Sequence, residues 1–278
     1  RIPGLEKRVS NVFVVFTHTA VTLIDMHDFK PDIKYYKPID KKTNLVKRCV
    51  AIAGDTLEIR NGYVYINGVQ NELPDRAKLQ FSYEVRLKPG KTFENSILEQ
   101  LKTRYDITDG IYMMGNKIII PAASNEAVSV FKNHPSVASI SRYTEPKGKA
   151  DTSLFPQDPS YEWNRDYFGP LYIPEEGKTM ELTLKNFPLY KRLLSEYEGN
   201  TVSTKGNQIF INGQLSNSYT FKQNYYWMMG DNRHNSIDAR AWGFVPFNHV
   251  VGKPVFIWMS WDTNGKGFNK IRWERMFT

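Results

Sequence analysis

Short apolar runs rich in Val, Ile, Tyr and Phe, punctuated by Gly and Asn, fill the first 75 residues. That is the pattern of antiparallel strands joined by tight turns. In DTLEIRNGYVYINGVQ the pair Asn61-Gly62 separates two alternating runs, Leu57 to Arg60 and Tyr63 to Ile66. The pair tolerates the positive φ of a type I′ turn, so the stretch predicts a hairpin. TKGNQIFINGQLS, from Thr204 to Ser216, places Ile209, Phe210 and Ile211 before another Asn-Gly pair and predicts a second hairpin of similar design. Near the C-terminus VVGKPVFIWMSWD reads as a strand, with Trp258 and Trp261 expected in the core or at a sheet edge in preference to a membrane surface.

Between the hairpins the period changes. LQFSYEVRLK reads as a strand, FENSILEQLKTRYDI as an amphipathic helix, and GIYMMGNKIIIP as two strands meeting near Gly115-Asn116. NEAVSVFKNHPSV then predicts a helix and ASISRY a strand. This β-α-β-β-α-β order is that of a ferredoxin-like unit, so residues 76–148 are expected to form an inserted lobe. The stretch that follows is rich in Pro, Gly, Asp and aromatic residues and predicts irregular backbone, with one helix from Leu189 to Tyr197. The expected fold is mainly β with an α+β insertion. Residues 1–75 and 224–278 form the two parts of an antiparallel β core, and 149–223 form a cap region.

The composition narrows the function classes without deciding among them. Of 278 residues, 41% are hydrophobic and 24% charged, which suits a folded chain of more than one compact unit. The longest apolar runs, such as Val12 to Phe16, fall far below the roughly 20 residues of a membrane-spanning helix. The sequence opens at Arg1 without an initiator methionine or leader, which predicts that upstream sequence has been removed. The single Cys49 can make no internal disulfide. A net charge of +8 is scattered among acidic residues, so nucleic acid is not the expected partner.

Two segments carry chemistry. MMGDNRHNSIDARAWGFV, Met228 to Val245, sets Asp231, Asn232, Arg233, Ser236, Asp238 and Arg240 between aromatic-rich strands. Taken alone it reads as a salt-bridged turn satisfying its own backbone. LVKRCVAIAGDTLEI, Leu45 to Ile59, puts Lys47 and Arg48 in an otherwise apolar strand, where alternation sends them to opposite faces. One of the two is therefore expected to be the less exposed, although an isolated strand lysine is usually solvated.

Together these segments resemble two ordered sequence boxes of the type I signal peptidases, the lysine box and the GDNR-x-x-S-x-D-x-R box. GLEKRVSNVFVVF, Gly4 to Phe16, is similar to the strand that follows the family's serine region. EWNRDYFGPLYIPEEG resembles its cap segment. The resemblance implies Lys47 as general base, Ser236 as the hydroxyl that holds the lysine, an Arg48–Asp231 pair, and an Asp238–Arg240 pair bracing the loop. It also implies Leu45 and Val46 as lining of the substrate groove. Ala239 stands where the family often has serine.

The family's nucleophile, a serine followed by methionine and then Pro-Thr, is absent from these 278 residues, and Ser10 in VSNVF does not match it. Its place would lie upstream of Arg1, so the chain is expected to be an inactive, truncated ectodomain. The resemblance implies no cofactor or metal. The implied partners are signal peptides of exported preproteins, with a membrane-anchored enzyme whose catalytic region faces the periplasm. A lysine accepts a proton only when neutral, and burial among apolar groups such as Val46, Cys49 and Val50 favours that form.

Three other readings compete. Asp25, His27, Asp28 and Asp32, with His18 nearby, lack the spacing of a zinc site. A non-catalytic relative could use 76–148 as a peptide- or protein-binding face. A self-cleaving repressor is disfavoured because no DNA-reading helix is evident.

Overall fold

The computed structural model of the chain describes residues 12–17, 44–74, 77–107, 109–261 and 267–277. The first strands are β1 (Val12–Thr17), β2 (Asn44–Ala51), β3 (Thr56–Arg60), β4 (Tyr63–Ile66) and β5 (Val69–Gln70). Then come β6 (Gln80–Leu87), α1 (Asn95–Arg104), β7 (Tyr112–Met114), β8 (Lys117–Ser124), α2 (Asn125–Asn133) and β9 (Val137–Arg142). The region after them holds β10 (Phe168–Tyr172), β11 (Thr179–Glu181), α3 (Phe187–Arg192), β12 (Val202–Lys205), β13 (Gln208–Ile211), β14 (Gln214–Leu215) and β15 (Ser218–Thr220). The last elements are β16 (Tyr225–Met229), α4 (Ala239–Trp242), β17 (Val245–Pro246) and β18 (Val250–Gly252).

Turn chemistry accounts for the hairpins. Arg60 faces Tyr63 across the β3–β4 turn, and Asn61 and Gly62 both have positive φ, at 51° and 75°, as a type I′ turn requires. A second device closes β4–β5 and recurs at β13–β14. Asn67 accepts from the Thr56 N–H through Oδ1 and donates from Nδ2 to Asp55. Asn212 accepts from the Thr201 N–H and donates to Asn200 in the same way. The two hairpins thus share a side-chain clamp as well as an Asn-Gly turn.

The strands form a five-stranded sheet in the order β17-β16-β2-β1-β18, a four-stranded sheet β10-β3-β4-β5 and smaller sheets, and neighbouring strands in these two sheets pair antiparallel. Their shared core runs from Cys49, Val50 and Ala51 through Leu57, Phe168 and Leu171 to Tyr225, Trp227, Met228 and Phe244. Trp227 meets Phe155 and Phe244 edge-on, with ring centroids 5.6 Å and 5.4 Å apart, which is the favoured arrangement of aromatic quadrupoles.

The segment from β6 to β9 has its own sheet, ordered β7-β8-β6-β9, and its own apolar cluster centred on Val85, Ile118, Ile120 and Phe131. Strand order and the two helices make this a ferredoxin-like arrangement inserted in a mainly β fold. Ser124 caps α2 by accepting from the Ala127 N–H.

Two expectations need correction. The C-terminal strand ends at Gly252, and residues 253–260 belong to no strand. Pro254 has no N–H to donate to a ladder and disfavours continuation. Trp258 and Trp261 are therefore exposed, at 65% and 56%, and not in the core. The helix expected at 189–197 begins at Phe187, and its second half, Leu193–Tyr197, widens into a π turn. Among the described residues no helix is long and apolar enough to cross a membrane.

Candidate active site

Strand β2 lies between β1 and β16 in the sheet, and its pleat sends Lys47 and Arg48 to opposite faces, where each meets a different residue of the loop after β16. Arg48 is the buried one, 3% exposed, while Lys47 is half-buried. Arg48 donates from Nε and Nη2 to the two carboxylate oxygens of Asp231, both at 2.7 Å. This planar two-point contact is one that lysine could not make.

The loop after β16 returns to the same strand. Lys47 Nζ donates to Ser236 Oγ at 3.1 Å across 189 residues of sequence. The approach depends on Gly230: a Cβ there would stand 2.2 Å from Ser236 Oγ and 2.7 Å from its Cβ. No side chain can occupy that space, so glycine at 230 is a packing requirement of the pair.

Asp238 braces the loop from within. Fully buried, it accepts from the Gly230 N–H at 3.0 Å, caps α4 through the Arg240 N–H, and receives two bonds from the Arg240 guanidinium at 2.9 and 2.7 Å. Burial alone would raise its carboxyl. The charge and hydrogen bonds of Arg240, with the two backbone N–H groups, bring it below the ordinary carboxylate range. Arg233 is also buried, and burial with Arg240 nearby pushes its guanidinium down to about 10, which leaves it a cation at neutral pH. Cys49, two residues beyond Lys47, has its thiol pushed up to about 12, chiefly by burial, and is not a nucleophile near neutral pH.

Of the remaining sequence-derived positions, Val46 is 52% exposed and Leu45 is half-buried against the main core. Val46 therefore does not help to bury Lys47, whereas Cys49 and Val50 are fully buried. His18, Asp25, His27, Asp28 and Asp32 lie outside the described residues. Among the described residues no group of three or more His, Cys, Asp or Glu could hold a metal ion.

Contacts of this loop with distant residues escaped the reading of the sequence. His234 contacts Asp166 and the backbone of Ser82, and Gln80 pairs with the loop itself. The NRD of residues 164–166 was visible as a motif, but nothing local ties it to a histidine 68 positions away.

Haemophilus influenzae signal peptidase I is 32% identical over 120 residues, 43% of this chain and 32% of the relative. A Leptolyngbya laminosa signal peptidase I is 26% identical over 183 residues, 60% of this chain and 86% of the relative. A Buchnera aphidicola signal peptidase I reaches 64% over 39 residues, 14% of this chain and 12% of the relative. The chain thus spans about a third or less of the Haemophilus and Buchnera proteins. A family model described as signal peptidase, peptidase S26, matches residues 10–118 and 176–261, which include both β2 and the loop from Gly230 to Arg240. With the lysine strand and the loop that meets it both inside a match over most of its length, the chain belongs to the signal peptidase family, peptidase S26.

Proposed function

We propose that this chain is the catalytic region of a serine endopeptidase that removes signal peptides from exported proteins, with Lys47 as general base. The observation that carries the reading is the Lys47–Ser236 hydrogen bond. A neutral amine has two N–H groups and one lone pair. Committing one N–H to Ser236 restricts where that lone pair points, which is what a positioned base needs. Arg48 with Asp231 and Arg240 with Asp238 hold the two ends of this arrangement. Exposed Val46, with Leu45, offers strand surface beside the amine for an extended substrate.

In the proposed mechanism the Lys47 amine takes the proton of a serine hydroxyl as its oxygen attacks the scissile carbonyl. The proton then passes to the departing amine, and water hydrolyses the resulting ester. No serine of residues 1–278 is followed by Met and Pro-Thr and Ser236 is already engaged with the lysine, so this reading takes its nucleophile from outside these residues. The setting is the outer face of the cytoplasmic membrane, with signal peptides as partners and no metal or cofactor taking part.

Precursor processing by the full-length protein tests this. Lys47→Ala should lower cleavage by at least about 10²- to 10⁴-fold. Lys47→Arg should fail equally, because arginine stays protonated. Retained cleavage in the arginine variant would remove Lys47 from the mechanism. The 278-residue chain by itself should show no turnover, and a covalent adduct on any of its serines would place the nucleophile elsewhere.

A further inference from the structure

The Ser236 loop is held from outside the core by two other parts of the chain. At its start it pairs alongside β6 as a short parallel extension: Gln80 N–H donates to the Asp231 carbonyl at 2.9 Å, and Arg233 N–H donates to the Gln80 carbonyl at 2.8 Å. Asn232 adds a bond to the Asp109 carboxylate at 2.7 Å. Further along, the NRD segment grips the loop twice. Asp166 contacts His234, and Arg165 donates to the Ser236 carbonyl at 3.4 Å.

His234 joins both holds. Its Nδ1 accepts from the Ser82 N–H at 2.9 Å, and its Nε2 lies 3.0 Å from Asp166 Oδ1. A backbone N–H can only donate, so Nδ1 carries no proton in this arrangement. The ring's single proton then sits on Nε2 and is donated to the carboxylate. Asp166 is fully buried and fixed in turn: its other oxygen accepts from the Glu145 N–H at 2.8 Å, and its carbonyl accepts from the Gly62 N–H at 2.9 Å. A Cβ at Gly62 would come within 2.8 Å of the same carboxylate. Phe81 and Tyr143 meet the imidazole edge-on, with centroids at 5.6 and 6.1 Å.

We propose that His234 is a positioning residue for the Lys47–Ser236 pair, a neutral imidazole latch through which the inserted lobe and the NRD segment together hold the loop that carries Ser236. The proposal rests on the protease reading only for its consequence in catalysis; the latch itself concerns the loop. Charged and titratable groups around the ring are Asp166 on the Nε2 side with Arg165 and Glu145 beside it, Arg142 stacked on Phe81, Tyr143, and Asp109 through Asn232. The two contacts are compatible with one tautomer only, since a proton on Nδ1 would face the Ser82 N–H and break that bond.

The test combines two readouts on the 278-residue chain with one on the full-length protein. In His234→Ala, hydrogen exchange of residues 230–236 should accelerate about 10-fold, and trace acetylation of Lys47 by acetic anhydride, read by mass spectrometry, should increase. Cleavage by the full-length variant should lose about 10-fold or more in kcat with KM within about 2-fold. His234→Gln should restore all three, since a carboxamide can accept from Ser82 and donate to Asp166. His234→Asn, too short to reach both partners, gives a milder loss if the alanine variant does not fold. Wild-type loop exchange and Lys47 labelling in the alanine and asparagine variants, or a glutamine variant no better than alanine, would overturn the latch. Failure of the protease reading instead shows as unimpaired cleavage in Lys47→Ala, with the exchange and labelling results still standing.

Discussion

Asp238→Ala isolates what holds the loop together. The substitution leaves the Arg240 guanidinium, 1% exposed, without its carboxylate. Removing one partner of a buried pair costs about 3–5 kcal/mol, because the remaining charge stays in low dielectric. The same change orphans the Gly230 N–H and removes the cap of α4, each worth about 1–2 kcal/mol alone. These losses share one carboxylate and do not add, so the expected total is about 4 kcal/mol. At about 2–4 °C per kcal/mol for a body of this size, Tm should fall by about 8–16 °C. Near-UV circular dichroism suits the measurement, because Trp227 and Trp242 are buried in the core beside the loop.

Two controls sharpen it. Asp238→Ala with Arg240→Met should recover much of the loss, since no uncompensated charge then remains. The folded-state carboxyl of Asp238 is also held below its unfolded value, so its contribution is complete above about pH 4 and is lost as pH falls through the lower folded value. The alanine variant should accordingly lose less stability on acidification than wild type. A Tm within 2 °C of wild type, or a double variant no better than the single one, would refute this account of the brace.

Ser236→Ala removes one 3.1 Å hydrogen bond, so it should cost no more than about 1.5 kcal/mol of stability while slowing precursor cleavage; full activity across the pH range would end its orienting role. Residues 76–148 expressed alone should unfold cooperatively, because β6 to β9 with their two helices share an apolar cluster of their own; a fragment without a transition would count against an independent lobe. Alkaline stability should decline once pH exceeds about 9 to 10. Burial holds the Cys49 thiol and the Tyr225 phenol protonated above their unfolded values, so their contribution is complete below those values and is lost as pH rises beyond them. A flat denaturation midpoint up to about pH 11 would contradict this.

What the sequence determined by itself is local. Asn61-Gly62 specifies its turn because only such residues accept two successive positive φ angles, and alternation on either side sets the two strands. The helices and strands of 76–148 follow from periods of 3.6 and 2 within windows of a dozen residues. The polar residues of the 230–240 loop are legible as a cluster for the same reason. Tertiary structure decided everything that depends on which surfaces meet. Alternation separated Lys47 from Arg48, but only the packing of β2 in its sheet assigned burial to Arg48 and left the amine facing Ser236. Trp258 and Trp261 lie in a run with the composition of a strand core, yet the strand ends at Gly252, before Pro254, and both are exposed, Trp261 making only an isolated bridge to Ile271. His234 sits two residues from Ser236 with nothing in its neighbourhood to mark it. Its partners, Ser82 and Asp166, are 152 and 68 positions away, and they became neighbours only when β6 and the 164–166 segment packed against the same loop.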